Sequence, residues 1–375
     1  MKKVLTPLLI ILVITVVTAG FFVTQRYIAN PEQIVPFPYA FEQKAQDLTL
    51  DAPILIIGDS MGNYLAKFAP TLAHSISINL ERPIKIQTIA TPGHALHRSL
   101  HQLKALTQWP QILIYQGASE EFYENKFLLS EIPKIKENFG RYKDDRIETF
   151  LLLYPWLSRL IYEPVQRVKL SAHLVRAEIE VQDEEKNYLR KLETELLLFE
   201  QHLIELVLRS KDRNSLLILT TTPINLDTPP KKVCNFTRTV DIEADILSLR
   251  SLLKISPKEA YNKSSRLIKQ YSGNADLLYL HGQVSKRLGY FEEAVNTLLS
   301  ASAYDCRPWR ATEVHNSIIR KVSREHQVLL FDFAKLVENE FTANTTFFDE
   351  LHPQNLYYDK GMEQLGMVIR SILKL

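Results

Sequence analysis

Phosphate-binding glycine loops are lacking in this 375-residue chain, which has only 11 glycines. Neither GxxxxGK[ST] nor GxGxxG occurs, so the sequence argues against a kinase or a dinucleotide-dependent enzyme. An excess of charge of one sign is lacking too. The formal net charge is +2, and no dense Lys/Arg run is interleaved with aromatic residues. We therefore expect no nucleic-acid partner.

Cysteine is the next scarce residue, with only Cys234 and Cys306 in the whole chain. There is no CxxC pair and no Cys/His cluster with the spacing of a metal site, so the sequence predicts no metal and no cofactor. An exported protein can form a disulfide between two such residues. Their spacing alone says nothing about geometry, and the pairing stays open at this point.

The N-terminus holds an almost unbroken apolar run from Val4 to Val23, which follows two lysines. At about 1.5 Å per residue this run just spans a hydrocarbon core of about 30 Å. We predict that residues 1–25 are a transmembrane anchor, or else a cleavable signal, because Val17-Thr18-Ala19 resembles a cleavage site. Both interpretations put the remainder in the periplasm or another extracytoplasmic space, since positive charge stays inside.

Beyond a proline-containing linker at 26–50, short apolar runs alternate with stretches of helical periodicity. The first run, 53–57, is β-branched and is stopped by Gly58, which is typical of a buried strand, and similar apolar runs recur before Gly, Pro or Asp. Strands that alternate with helices indicate an α/β fold, a three-layer α/β/α sandwich with a parallel sheet. We assign 51–375 to this domain. The predicted strands are 53–57, 84–89, 112–115, 216–221 and 328–331.

Two helical insertions, at about 122–213 and about 240–325, interrupt the alternation. In the first, the Leu-rich stretch 192–208 is typical of core or coiled-coil packing rather than of a lipid site. In the second, Leu288-Gly-Tyr-Phe-Glu-Glu-Ala294 resembles the turn of a tetratricopeptide hairpin. A solenoid needs about three repeats to bury its faces, so we expect a single hairpin that packs on the main domain.

The sequence Ile57-Gly-Asp-Ser-Met-Gly62 directly follows the first predicted strand. A serine at such a strand-to-helix turn lies at the carboxyl edge of a parallel sheet, where active sites of open α/β folds are found. The N–H groups of the next helix favour developing negative charge there. We expect Asp59 to brace the turn. The GxSxG elbow of α/β-hydrolases is rejected, because no sheet precedes this serine.

The Gly-Asp-Ser turn, together with Phe348-Asp-Glu-Leu-His-Pro353 near the other end, resembles the GDSL/SGNH hydrolase family. The resemblance implies that Ser60 is the nucleophile, His352 the base and Asp349 the residue that orients it. A gap of three on a helical turn would point both side chains the same way. The layout is similar to exported, membrane-anchored members with a tetratricopeptide-like insertion. The resemblance covers about 52–122, 215–230 and 310–375.

The same resemblance implies three hydrogen-bond donors for the oxyanion. Two are backbone N–H groups, those of Ser60 and of Gly93, which follows the second strand. The third is an Asn in a Gly-x-Asn motif, but here the motif reads Gly117-Ala118-Ser119. A serine hydroxyl is shorter and has one proton. Loss of one donor costs on the order of 2.7–4 kcal/mol in other hydrolases, so either Ser119 substitutes at some loss or only two donors remain.

Two other sets of residues have alternative interpretations. His94, His97 and His101 share a helix face, which is compatible with zinc, although a polar face near the cleft explains them without a metal. Glu120 and Glu121 could serve in glycoside cleavage, but adjacent acidic side chains usually point apart.

The expected function is hydrolysis of an acyl ester, with an acylated envelope glycan or lipid as substrate. Two alternatives stay open. The same triad could serve an O-acyltransferase. The chain could also be a catalytically weakened scaffold, whose helical insertions bind a protein partner of the envelope.

Overall fold

A computed structural model describes residues 13–17, 40–41, 49–78, 84–124, 126–142, 167–168, 185–231, 233–234, 242–341 and 345–373. The chain forms two compact units, Met1–Lys44 with Lys126–Leu170 and Ala45–Asn125 with Ser171–Leu375. Most of the predicted anchor or signal and of the linker lies outside the described residues. Residues 13–17 are helical. Within the described ranges, no helix is both long and apolar enough to cross a membrane.

The described strands are β1 (Ala40–Phe41), β2 (Ile54–Gly58), β3 (Ile86–Thr88), β4 (Ile112–Gln116), β5 (Arg167–Val168), β6 (Leu216–Thr220) and β7 (Leu329–Phe331). The helices are α1 (Ser60–Leu65), α2 (Ala69–Ser77), α3 (Leu96–Leu103), α4 (Ile132–Tyr142), α5 (Glu185–Asp212), α6 (Glu243–Ile255), α7 (Pro257–Gln270), α8 (Ala275–Arg287), α9 (Phe291–Ala303), α10 (Glu313–His326), α11 (Phe333–Glu338) and α12 (Asn355–Leu373). In the first unit β1 pairs in parallel with β5.

The second unit contains a five-stranded sheet in the order β3-β2-β4-β6-β7, with every pair parallel. This confirms the predicted α/β class and all five predicted strands, of which β3 is shorter than expected. When the five strands of this sheet alone are numbered 1 to 5 along the chain, their order in the sheet is 2-1-3-4-5. This is one of the orders of doubly wound sheets. Its switch point lies between β2 and β4, and ligands of such sheets bind outside the carboxyl ends of these strands.

Both faces of the sheet are buried, which explains why its strands are continuous apolar runs. Successive side chains along a strand point to opposite faces of the sheet. Leu55 and Leu113 lie on one face, in a core with side chains of α3, α5 and α10. Ile56 and Ile114 lie on the other, with side chains of α1, α2, α11 and α12. Helices therefore cover both sides of the sheet.

The first predicted insertion is described only in part, and its described elements are α4, the two-residue strand β5 and α5. The Leu-rich stretch of α5 provides Phe199, Leu203 and Leu206 to the core, as predicted. The second insertion contains the predicted hairpin as α8 and α9, and α6 and α7 precede it. A Cβ atom on Gly282 of α8 would lie 2.5 Å from the Leu298 side chain of α9, so this glycine permits the close helix contact.

Cys234 and Cys306 form a disulfide, which answers the question that their spacing left open. The bond joins the segment after β6 to the segment after α9. Both residues are buried in a small cluster with Phe122 and Tyr188.

Candidate active site

Ser60 is the first residue of α1. The turn before it begins at Gly58, the last residue of β2. Gly58 has φ +140°, and a Cβ atom there would lie 1.7 Å from the carbonyl oxygen of Gln116. Only glycine therefore fits between β2 and β4. Asp59 is the N-cap, and its Oδ1 accepts the N–H of Met61 at 2.8 Å. The Ser60 Oγ atom is buried and has no hydrogen-bond partner in the described part of the chain.

Asp59 also joins the Ser60 turn to the loop after β4. Its Oδ2 accepts the backbone N–H of Ser119 at 2.7 Å. Burial raises the pKa of Asp59 to about 7, the N–H groups of Met61 and Ser119 offset part of this rise, and the charge of Glu121 adds to it. The bracing role expected for Asp59 thus extends to a second strand end, which its sequence position did not indicate.

Gly93 lies in a tight turn beside the end of β2. Its φ is +81°, Pro92 precedes it, and the N–H of His94 donates to the Thr91 carbonyl at 3.2 Å. A proline followed by a glycine with positive φ is typical of a type II turn. The N–H of Thr91 donates to the Gly58 carbonyl at 3.0 Å, so the turn is attached to the strand that leads to Ser60.

The loop with Ser119 is held by a buried polar network at the ends of β4 and β6. Gln116 donates to the Thr222 hydroxyl at 3.0 Å, and that hydroxyl bonds the Gly117 carbonyl. The Asn316 amide pairs with both backbone groups of Thr222, at 2.8 and 2.9 Å. Ala118 is forced to φ +97°, and strain of this kind clusters at functional loops. Sequence reasoning missed Thr222, whose only local signal is its place just after a strand.

Asp349 and His352 form the expected pair, with 2.8 Å between Asp349 Oδ2 and His352 Nδ1. Their backbone is not a helical turn, which corrects the geometry inferred from the spacing. Residues 348–351 instead form a bend, closed by the N–H groups of Leu351 and His352 at 2.7 and 2.6 Å from Asp349 Oδ1. Burial raises the pKa of Asp349, but the bonds from His352 and Leu351 outweigh it, and the net pKa is lowered.

The bend is anchored to the segment after β6. Asn225 donates its side-chain amide to the Asp349 carbonyl at 2.9 Å. The guanidinium of Arg310 donates to the Asn225 carbonyl at 2.6 Å and to the Thr228 carbonyl at 2.8 Å. Burial lowers the pKa of Arg310 to about 10, so the anchor stays charged at neutral pH.

Tyr64 connects the His352 bend to the helix that carries Ser60. Ser60 and Tyr64 are four residues apart on α1 and so share one face. The Tyr64 ring lies 5.0 Å from the imidazole of His352, and Phe348 stacks on that imidazole at 5.7 Å. The Tyr64 hydroxyl donates to Asn355 at 3.0 Å. Within the described residues no hydrogen bond joins Ser60 Oγ to His352.

Two glutamates after β4 satisfy the N-terminus of α3. The N-cap residue Ala95 has no side-chain acceptor, which leaves the first N–H groups of the helix without a local partner. Glu124 accepts the N–H of Ala95 at 2.7 Å and the Nε–H of Arg98, and Glu121 accepts the N–H of Leu96 at 2.7 Å. The glycosidase interpretation is thereby weakened, because Glu121 already binds backbone.

The three histidines do not share one helix face as expected, because His94 precedes Leu96, the first residue of α3. His94 and His97 are both buried. Burial, with the charge of Arg98, lowers the pKa of His94 to about 4. His97 Nε2 lies 3.5 Å from Glu124, and the His97 ring is stacked 5.9 Å from that of His202. Among the described residues no group of three or more side chains could hold a metal ion.

The chain was also compared with known proteins. No protein-family model, no curated protein and no solved structure matches it.

Proposed function

We propose that this chain is a serine esterase of the GDSL/SGNH type, which hydrolyses an acyl ester through Ser60, His352 and Asp349. One observation carries the proposal. The Asp349–His352 pair packs through Tyr64 against the helix that Ser60 begins. Sequence segments from opposite ends of the chain thus contribute a nucleophile and a paired base to one edge of the sheet.

In the acylation step Ser60 Oγ attacks the ester carbonyl while its proton passes to His352 Nε2. The lowered pKa of Asp349 keeps this carboxylate charged, so it accepts a bond from the His352 Nδ1–H and fixes the tautomer. The N–H groups of Ser60 and Gly93 donate to the oxyanion, with Ser119 beside them. His352 then protonates the leaving alcohol.

Deacylation repeats these roles with water as the nucleophile. Within the described residues the Ser60 hydroxyl makes no hydrogen bond, and catalytic hydrogen bonds are often long or poorly aligned until substrate binds. Tyr64 and Phe348 pack against the imidazole of His352 and limit its rotation.

The substrate we propose is an acylated glycan or lipid of the cell envelope, reached from the membrane surface through an N-terminal tether. The Cys234–Cys306 disulfide supports an extracytoplasmic location, because such bonds persist in oxidising compartments. The apolar run behind two lysines supports the tether.

The test compares the parent protein with Ser60→Ala, using short-chain aryl esters and labelling by a fluorophosphonate probe. We expect the variant to lose both turnover and label, because the proposed mechanism requires the Ser60 hydroxyl as nucleophile. Ser251→Ala, which changes an exposed serine of α6, is the matched control and should keep both. Equal turnover by Ser60→Ala and parent protein rejects the proposal.

The two alternatives give different results in the same assays. A transferase labels at Ser60 but hydrolyses esters slowly, and it moves the acyl group to an added glycan. A weakened scaffold does not label at all. The departure at Ser119 from the family's Gly-x-Asn motif is the reason for keeping the scaffold alternative, and labelling decides between it and the proposed esterase.

A further inference from the structure

The segment after β6 contacts both the helical insertion and the Asp349–His352 pair. Ile224 and Leu226 are buried in an apolar cluster with side chains of α9. Asn225, which lies between them in the chain, donates its side-chain amide to the Asp349 carbonyl at 2.9 Å. The segment therefore packs on the insertion through its apolar side chains, while Asn225 binds the bend that carries the proposed base.

The Asn225 side chain is bonded at both of its polar atoms. Its Oδ1 accepts the backbone N–H of Asp227 at 3.1 Å, which forms an Asx turn. The Asn225 carbonyl accepts the N–H of Thr228 at 3.2 Å, so the backbone of the same turn is closed as well. With Oδ1 occupied inside the turn, the Nδ2 amide is directed at the Asp349 carbonyl. The conformation of residues 225–228 thus determines where Asn225 donates.

One face of α8 holds this turn at Asp227. Lys286 donates to both carboxylate oxygens of Asp227, at 2.8 and 2.9 Å. Tyr279 donates its hydroxyl to the Asp227 carbonyl at 2.6 Å. Gln283 lies between these two on the helix, and its amide is 3.4 Å from Asp227 Oδ1. Residues at i, i+4 and i+7 share one helix face, so three side chains of the predicted hairpin bind a single residue of the turn.

These bonds connect the helical insertion continuously with the proposed base. They lead from Lys286 through Asp227 and Asn225 to the Asp349 carbonyl. Asp349 Oδ2 in turn lies 2.8 Å from His352 Nδ1. A misplacement of about 1 Å can cost about a hundredfold in rate even when the changed residue is far from the chemistry. Contacts of this kind therefore affect a reaction without touching the substrate.

We propose that Asn225 is a positioning residue for the Asp349–His352 pair, and that α8 of the helical insertion holds Asn225 in place through Asp227. The inference rests on the proposed esterase function. Its role requires neither contact with substrate nor transfer of a proton. Asn225 fixes the backbone of Asp349, and thereby the direction from which the Asp349 carboxylate meets His352 Nδ1. The insertion is then needed for the alignment of the proposed catalytic pair.

The first experiment measures kcat and KM for an aryl ester in Asn225→Asp. This variant keeps an acceptor for the Asp227 N–H but presents a carboxylate oxygen to the Asp349 carbonyl, so it breaks the bond to the bend and preserves the turn. We expect kcat to fall by about tenfold to a hundredfold with KM little changed, because a misaligned base affects the chemical step. Asn262→Asp, an exposed change on α7, is the matched control and should keep the parent kcat.

The second experiment tests the route from α8. Lys286→Met removes the ion pair with Asp227, while its thioether can still contact the Phe341 ring over which the ammonium lies. We expect kcat to fall by about threefold or more in the parent background, as for residues coupled in one hydrogen-bond network. In the Asn225→Asp background the same change should have no further effect on kcat. Lys258→Met, an exposed change on α7, is the control.

NMR of the His352 ring N–H reports its bond to Asp349 without any turnover. The resonance is assigned by its loss in His352→Gln. It should shift in Asn225→Asp and in Lys286→Met, and it should keep its parent position in both controls. Urea unfolding of each variant confirms that the fold is intact under the assay conditions.

Two results overturn the inference. One is an Asn225→Asp protein with the parent kcat and an unchanged His352 resonance. The other is a fall in kcat from Lys286→Met that is equally large in both backgrounds, because α8 then acts by another route. Failure of the esterase proposal is separate, since it shows as turnover and labelling that do not depend on Ser60. If no ester is turned over, the His352 resonance in the same variants decides.

Discussion

Asp59 is a buried acid that holds two backbone segments at once. Its two oxygens accept N–H groups from the Ser60 turn and from the Ser119 loop, so one side chain holds these two segments together. The arrangement has a cost, because a carboxylate in this environment is poorly solvated. The raised pKa of Asp59, about 7, reflects that cost.

Because the pKa of Asp59 is raised in the folded protein, we expect the free energy of unfolding to depend on pH. The native pKa of Asp59 is about 7, against about 3.9 in an unfolded chain. Between those values the native state binds more protons than the unfolded state, so the unfolding free energy falls as pH rises, by up to about 1.4 kcal/mol per pH unit. Asp59→Asn removes this titration, and urea unfolding from mildly acidic to neutral pH should show a smaller slope. An unchanged slope contradicts the pKa assignment.

Asp349 is the second residue whose charge matters, since the proposed mechanism requires its carboxylate beside His352. In Asp349→Asn the amide cannot stabilise an imidazolium, and it favours the wrong tautomer of His352. We expect kcat for an aryl ester to fall by about 10⁴, with folding preserved, as in the equivalent change in a serine protease. Asp212→Asn, at the exposed end of α5, is the control and should leave kcat unchanged. A fall of less than tenfold argues that Asp349 is only a turn residue.

At the scale of elements, the strands were predictable because each is a short local pattern of apolar residues and a terminator. The Asp349–His352 pair was predictable from spacing, but its bend was not, since the N–H bonds that close it depend on the Asp349 rotamer. The contact between Thr222 and Asn316 could not be predicted from the sequence. It joins residues separated by 94 positions, and only the packing of α10 beside β6 brings them together.

The contact between α8 and α9 depends on Gly282. A methyl group there meets Leu298 at 2.5 Å, which is too close for a side chain to remain in place. Gly282→Ala should therefore destabilise the protein by about 1–3 kcal/mol, the usual range for overpacking, despite the better helix propensity of alanine. Gly140→Ala, on the exposed side of α4 with nothing within 4 Å, should have no such penalty and gain up to about 1 kcal/mol. Thermal unfolding of both variants measures the difference, and equal effects contradict the packing argument.

At the scale of the molecule, the parallel sheet is what assembles the site. Each strand runs in the same direction, so the turns after β2, β3, β4 and β6 emerge at one edge. The closing segment reaches that edge from the far end of the chain, and the bond between Tyr64 and Asn355 spans 291 positions. A local sequence pattern can identify Ser60 and His352 separately as candidate residues. Only the topology brings the segments that carry them to the same edge of the sheet.

The disulfide joins the helical insertion to the segment that supports this edge. Cys234 and Cys306 close a loop with a sequence separation of 72, for which the chain-entropy estimate is about 4 kcal/mol. Reduction, or Cys306→Ser, should lower the unfolding free energy by about 2–5 kcal/mol. The double variant Cys234→Ser with Cys306→Ser controls for a stray thiol. Asp305 holds the Lys231 N–H at 2.7 Å beside the bond, so some contact between the segments survives reduction. Urea unfolding with and without reductant measures the loss, and identical curves would mean that the bond contributes nothing to the fold.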